Sequence, residues 1–381
     1  MSKCFEDIRP YNDSEINDAM LRMVKSPVFS TLSQFVFPHK DIEEVRQLVS
    51  SIGSIESFQR QVMQQAIFSI IQKSMDTFTY SGLEYVDPAK TYLYVSNHRD
   101  IMLDAALLQS VFMNNQLKTT EITFGANLMQ HPLVIDIGKS NKMFKVERPG
   151  GGLKEFYRAS KHLSEYIRTT LLEKQESVWI AQRNGRTKDG IDRTDQGIIN
   201  MFKMSHRKNQ VQSIADLNIL PVAISYQWEP CDVLKTLELF ATQQQGTYVK
   251  KHGEDVNSIL TGILQYKGKV HIALCPPITE SDLLPHAALS SNDFNRKVAE
   301  IIDQRICSAY VLHNNNYIAH DMLSGTDSYA HHYTVTQKET FEKHLGQLDA
   351  YAADMDVAAL RQIFLGIYAS CIDSKLMFQT L

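Results

Sequence analysis

Short apolar runs at 91–96, 119–124, 142–147, 177–181, 219–226 and 268–274 punctuate the middle of this chain. Their length and continuity predict strands buried in a sheet. Between them, 102–112, 152–172, 195–208, 232–243 and 254–264 carry apolar residues at three- and four-residue spacing, which predicts helices. Strands alternating with helices argue an α/β layer architecture. The flanks read differently. Residues 11–80 read as helical, opening on a capping start at Asp13-Ser14-Glu15. Within them Met63, Ala66, Ile67, Ile70 and Ile71 form one stripe, the face such a helix ordinarily buries in protein. After Pro276-Pro277 the pattern is helical again, strongest at 291–312 and 338–379. The expectation is an α/β fold: a mixed central sheet flanked by helices, with a helical N-terminal arm and a helical C-terminal extension. The corresponding boundaries are 1–85 for the arm, 86–280 for the core and 281–381 for the extension. The arm is expected to pack on the core or to cover part of its site.

Composition adds limits rather than identity. With 43% apolar and 22% charged residues, the chain is that of an ordinary globular protein with ample material for a core. Cys4, Cys231, Cys275, Cys307 and Cys371 are scattered, without a CxxC pair, and read as reduced structural thiols. The start, Met1-Ser2-Lys3-Cys4-Phe5, has no apolar signal region, so a cytoplasmic location is expected. No uninterrupted apolar run is long enough to span a bilayer, so any lipid would be met from the surface. The net charge of −4 hides an asymmetry. Lys142 to Lys208 holds fifteen Lys and Arg against eight Asp and Glu, which leaves the rest of the chain strongly acidic. A central basic segment on an acidic protein points to an anionic small molecule rather than to nucleic acid.

Candidate chemistry concentrates at the strand exits. Tyr94-Val95-Ser96-Asn97-His98-Arg99-Asp100-Ile101-Met102-Leu103-Asp104 puts a histidine between a strand and a helix, with two carboxylates just downstream. Such a histidine can act as a base near neutral pH when a carboxylate fixes its tautomer. Lys142-Met143-Phe144-Lys145-Val146-Glu147-Arg148 ends a strand in a guanidinium that can grip a phosphate or carboxylate. Ala181-Gln182-Arg183-Asn184-Gly185-Arg186-Thr187-Lys188-Asp189-Gly190 offers cations, a hydroxyl and backbone N–H groups to an oxyanion, but lacks the ending of a nucleotide P-loop. Leu220-Pro221-Val222 opens a strand whose residues read as packing. His98, Asp100 and Asp104 could ligate a metal in principle, but no second histidine cluster lies near them in sequence, and none is required.

These four segments, in this order, resemble the glycerolipid acyltransferase superfamily, which includes the glycerol-3-phosphate and 1-acylglycerol-3-phosphate acyltransferases. Asn97-His98 with Asp104 looks like its Asn-His-x4-Asp motif. Phe144 to Arg148 looks like its second block, Asn184-Gly185-Arg186-Thr187 like its Glu-Gly-Thr-Arg-Ser block, and Leu220-Pro221-Val222 like its Val-Pro-Val strand. The wording around His98 is similar to a less-studied bacterial branch.

The resemblance implies acyl transfer from a thioester, either acyl-carrier protein or acyl-CoA, to the hydroxyl of an anionic lysolipid, in phospholipid or aminolipid biosynthesis. His98 would be the base and Asp104 its partner, with Asp100 as the alternative. Arg148, Asn184, Gly185, Arg186, Thr187 and Lys188 would bind substrate, with Arg183 the next candidate. No cofactor or metal is implied. The partners would be the thioester donor, the lysolipid and a membrane surface, not nucleic acid, and the location cytoplasmic, peripheral on the inner face of the membrane.

Two departures stand out. Five residues rather than four separate His98 from Asp104, and on an ideal helix six steps leave the pair about 120° apart. They can meet only if the chain turns sharply, as a helix beginning near Asp100 or Ile101 would allow. Asn184 stands where the family usually has Glu. A catalytically impaired lipid- or acyl-carrier-binding protein is therefore the alternative, and a metal-dependent hydrolase a remoter one.

Overall fold

The computed structural model of the chain describes residues 5–147, 152–206, 209–251 and 253–379. Seven strands form one mixed sheet: β1 (Met75–Ser81), β2 (Leu93–Ser96), β3 (Glu121–Gly125), β4 (Met143–Val146), β5 (Val178–Ala181), β6 (Ile219–Tyr226) and β7 (Gly268–Leu274). Their order across the sheet is β1-β7-β6-β2-β5-β3-β4, with β6 and β7 antiparallel and every other neighbouring pair parallel. All eight residues of β6 are buried, as expected of a central strand covered on both faces.

Side-chain alternation divides the core in two. Leu93, Val95, Val178, Ile180, Ile219 and Ala223 face the helices Leu153–Leu172, Gln196–Lys203 and Ser291–Ala309. Tyr94, Trp179, Leu220, Val222, Ile224 and Tyr226 face the helices Gln64–Ser74 and Leu103–Asn114. The mixed sheet with helices on both faces and at both ends is the architecture predicted above.

The structure corrects several element readings. Residues 75–81 are not helical but form edge strand β1, paired in parallel with β7. Its Thr77, Phe78, Thr79 and Tyr80 are strand-favouring residues, and only Met75 of the strand is buried. The helix expected at 195–208 stops at Lys203. The helical run expected over 338–379 is two α-helices, Val335–Leu345 and Val357–Gln379, joined through a 3-10 segment at Gly346–Tyr351. The helix Pro132–Ser140 was absent from the sequence reading, whereas Asn314–Ser324 falls within the stretch expected to be helical after Pro276-Pro277.

The N-terminal helices enclose a core of their own around Ile16, Met20, Val45, Val49 and Phe58. They are tied to the helix Pro132–Ser140 by Asp136, which accepts from Tyr11 Oη at 2.9 Å and pairs with Arg22 at 2.7 Å. Among the described residues, no helix is long and apolar enough to cross a membrane.

Candidate active site

Strands β2, β5, β3 and β4 run the same way, so their C-terminal ends open on one edge of the sheet, where ligands of open α/β sheets usually bind. The chain leaves β2 through Asn97, whose side chain accepts from Ile224 N (2.8 Å) and donates to Ile224 O (3.0 Å) on β6. His98 follows. After it the chain bends, and the helix begins only at Leu103 rather than near Asp100. That bend absorbs the extra residue.

It brings Asp104 back beneath the turn, fully buried, where Oδ2 lies 2.9 Å from His98 Nδ1. The same oxygen accepts from Arg99 N (2.6 Å) and Asp100 N (2.9 Å), and Oδ1 accepts from Tyr226 Oη (2.9 Å). A carboxylate at Nδ1 keeps the proton on that nitrogen and leaves Nε2 as the basic one. Nε2 has no partner among the described residues. Asp100 serves the helix instead. Its Oδ1 accepts from Met102 N (2.9 Å) and Leu103 N (2.8 Å), satisfying the first turn. Its Oδ2 is buried without a partner among the described residues. Burial, and then the charge of Asp104, push the Asp100 carboxyl pKa up.

His98 lines a cavity of about 420 Å³ off the strand ends. Phe124 of β3 and Leu128 just beyond it, Phe156 and Leu163 of a flanking helix, and Trp179 and Ile180 of β5 give it an apolar interior. The loop after β5 supplies Arg183, Asn184, Gly185 and Arg186 on one side. An apolar chamber carrying a basic nitrogen and two guanidinium groups suits a substrate with a long apolar part and an anionic end.

Residues 77–225 match the acyltransferase family model. That match runs from β1 to β6 and takes in the histidine turn and the loop after β5. Among solved structures the chain is similar to PlsC, the 1-acyl-sn-glycerophosphate (LPA) acyltransferase of Thermotoga maritima. The two share 13% sequence identity over 76% of this chain and 94% of that one, with a TM-score of 0.37. No curated protein matches the chain.

The substrate-binding candidates separate into groups. Asn184, Gly185 and Arg186 line the cavity, Asn184 exposed and Arg186 buried, with one guanidinium nitrogen lacking a partner among the described residues. Gly185 has φ +78°, a left-handed conformation that favours glycine. Thr187 and Lys188 do not line the cavity. Thr187 N donates to His98 O (2.7 Å) and its hydroxyl to Asp192 (3.0 Å), so it ties the β5 loop to the histidine turn. Lys188 is paired with Glu238. Arg148 lies outside the described residues. Among these residues, no group of three His, Cys, Asp or Glu side chains is arranged to hold a metal.

The sequence did not reveal what holds the histidine turn. Arg99 is fully buried and pairs with Asp192 (2.7 Å) and Glu229 (3.2 Å). Burial works against its charge, but those two carboxylates hold its pKa well above the ordinary value. Lys235 Nζ donates to Arg99 O (2.8 Å) and pairs with Glu229 (2.5 Å), while Asn97 Nδ2 donates to Asp192 (2.8 Å). Tyr226, read from sequence as packing, places its hydroxyl on the carboxylate of Asp104. The signal available was its position at the exit of β6, beside the exit of β2. Gly262 was also silent in sequence: a Cβ there would stand 2.0 Å from Asp100 Oδ2, so only a glycine lets the helix Glu254–Leu264 approach the turn this closely.

Proposed function

We propose that this acyltransferase moves a fatty acyl group from a thioester to the hydroxyl of an anionic lysolipid, with His98 as general base. Acyl-carrier protein and acyl-CoA both fit the donor role. An acceptor such as 1-acylglycerol-3-phosphate fits the acceptor role. One observation carries the reading: His98 Nδ1 is committed to a buried, fully hydrogen-bonded carboxylate, while Nε2 stands unpartnered on a cavity that also holds Arg183 and Arg186.

In the reaction, Nε2 takes the proton of the acceptor hydroxyl as its oxygen attacks the thioester carbonyl. Asp104 stabilises the imidazolium that forms. Collapse of the tetrahedral intermediate breaks the C–S bond, and the imidazolium returns its proton to the departing thiolate. Arg183 and Arg186 hold the acceptor's anionic group, so their contribution is alignment. The reaction needs no acyl-enzyme and no metal. The product is a membrane lipid, so the protein works in phospholipid or aminolipid synthesis from the cytoplasmic face of the membrane.

The test is thiol release from long-chain acyl-carrier protein and acyl-CoA with a panel of lysolipid acceptors, wild type beside His98→Ala. Acceptor-dependent release that disappears in the variant establishes the activity and names the acceptor. No release from any pairing, with folded protein, moves the reading to a lipid- or acyl-carrier-binding protein.

A further inference from the structure

We propose that the apolar rim beside the catalytic cavity is a docking face for an anionic bilayer surface. It consists of the helix Glu254–Leu264, the segment leading into it, and the first turns of Leu153–Leu172. The proposal rests on the lipid-acceptor reading above, because a lysolipid must leave a membrane to reach His98.

Soluble helices bury their apolar stripe. Helix Glu254–Leu264 exposes one: Val256, Leu260 and Leu264 lie at four-residue spacing on one side, and Leu264 is 64% exposed. Its inward side carries small residues. Ser258 O accepts from Cys231 Sγ at 3.2 Å, and Gly262 abuts Asp100. Val249, just before this helix, is 83% exposed. On the other helix, Leu153 is 90% exposed, and Phe156 and Tyr157 on the next turn are exposed as well. Both elements reach the same cavity, since Phe156 and Ser160 line it and so do Lys250 and Asp255. Exposed apolar faces on two helices beside one cavity mark an interaction face rather than ordinary surface.

Charge selects the occupant. The first nine residues of Leu153–Leu172 carry Lys154, Arg158 and Lys161, all exposed, against Glu155 alone. These suit anionic headgroups. The stripe on Glu254–Leu264 carries no cation, and the only charges of that helix are Glu254 and Asp255. An acidic protein would find nothing there to pair with. A bilayer takes apolar side chains from both helices into its interface while the basic turns meet its headgroups.

The test is co-sedimentation of the full chain with vesicles of phosphatidylcholine alone and of phosphatidylcholine with phosphatidylglycerol. Wild type should partition at least tenfold more strongly to the anionic vesicles, and added salt should weaken the preference. Combined Val256→Gln, Leu260→Gln and Leu264→Gln, none of them lining the cavity, should weaken partition to both vesicles at least tenfold. Combined Lys154→Gln, Arg158→Gln and Lys161→Gln should remove only the anionic preference. A thermal melt checks folding, and Leu153→Gln gives an independent variant should the triple melt early.

Unchanged partition in the apolar variants overturns the proposal. So does a wild type that ignores both vesicles, including one that binds acyl-carrier protein through the basic helix instead. Acyl transfer to a micelle-free, short-chain acceptor separates the two readings. Transfer retained there but lost on vesicles by the apolar triple supports the docking face. Vesicle binding without transfer from any donor sinks the catalytic reading and leaves the docking face standing.

Discussion

Among the described residues two buried aspartates hold a histidine, and the difference between them shows what would leave such a pair free for chemistry. At the cavity, His98 meets Asp104 at 2.9 Å, with Trp179 edge-on to the imidazole. In a second cleft, of about 710 Å³, His344 meets Asp232 at 2.7 Å, with the Trp228 ring 4.6 Å away. The ingredients match, but the wiring does not. Asp232 takes Nε2 of His344, and Gln347 lies 2.9 Å from Nδ1, so both ring nitrogens are occupied. The carboxylate of Asp232 also accepts from Tyr368 and Gln265, which ties together the C-terminal helix, the helix Asp232–Gln245 and the segment before β7. That pair is a rivet. At the first pair one nitrogen is left over beside a cavity, and the partner's remaining acceptor sites are filled from the backbone and from Tyr226.

The contrast is open to experiment, with the largest effect expected for the histidines themselves. His98→Ala should lower the rate of thiol release by about 10²–10⁴-fold, the usual worth of a positioned general base. His344→Ala should leave it within about threefold, and Gln347→Ala in the His98→Ala background, which frees a nitrogen on His344, should restore nothing. Equal losses from His98→Ala and His344→Ala would erase the distinction.

The buried pillar comes next. Arg99→Met takes the cation from Asp192 and leaves Glu229 with Lys235 alone, a change that costs about 3–5 kcal/mol in comparable buried pairs. Urea denaturation should show it, whereas His344→Ala should cost about 1–3 kcal/mol. Tyr226→Phe removes one donor from the charged Asp104, worth about 1.5–3 kcal/mol. Its activity loss should fall on kcat rather than on KM; a loss confined to KM would move Tyr226 from positioning to substrate contact.

The smallest effect concerns pH. Asp303 accepts from Thr194 N (2.7 Å) and Thr194 Oγ1 (2.6 Å), anchoring the β5 loop, and burial raises its pKa from 3.8 to about 6. A folded state that binds the proton more tightly than the unfolded one loses stability as pH rises through that window. This group therefore contributes a decline of at most one proton's slope between pH 3.8 and about 6. Asp303→Asn should flatten that part of the stability curve, and an unaltered slope would remove the assignment.

Much of this frame was legible beforehand because burial on both faces writes a continuous apolar run. Strands β2 to β7 and most of the longer helices between them appear close to their predicted places for that reason. Strand β1 did not, because Ile67, Ile70, Ile71 and Phe78 sustain a helical spacing past the end of the helix, and an edge strand with mostly exposed residues writes no alternation of its own. The pairing of His98 with Asp104 was one of two arrangements the spacing allowed. The choice between them depends on a bend whose geometry no periodicity records. Arg99, Asp192, Glu229 and Lys235 were invisible for a plainer reason. A charged residue in a loop reads as solvated until its distant partners are known, and these residues come from separate segments of the chain.

That dispersal has a consequence in time. The ribosome makes His98 early, but the groups that hold its turn come much later. They are Asp192, Tyr226, Glu229, Lys235 and the helix containing Tyr368, whose hydroxyl accepts from Glu229 N at 3.0 Å. At about 5–20 residues per second, the interval from the histidine to that last helix is on the order of tens of seconds. During that interval the nascent chain carries His98 on a bend that lacks these partners. The full set of contacts around the turn is available only once the last helix has been made.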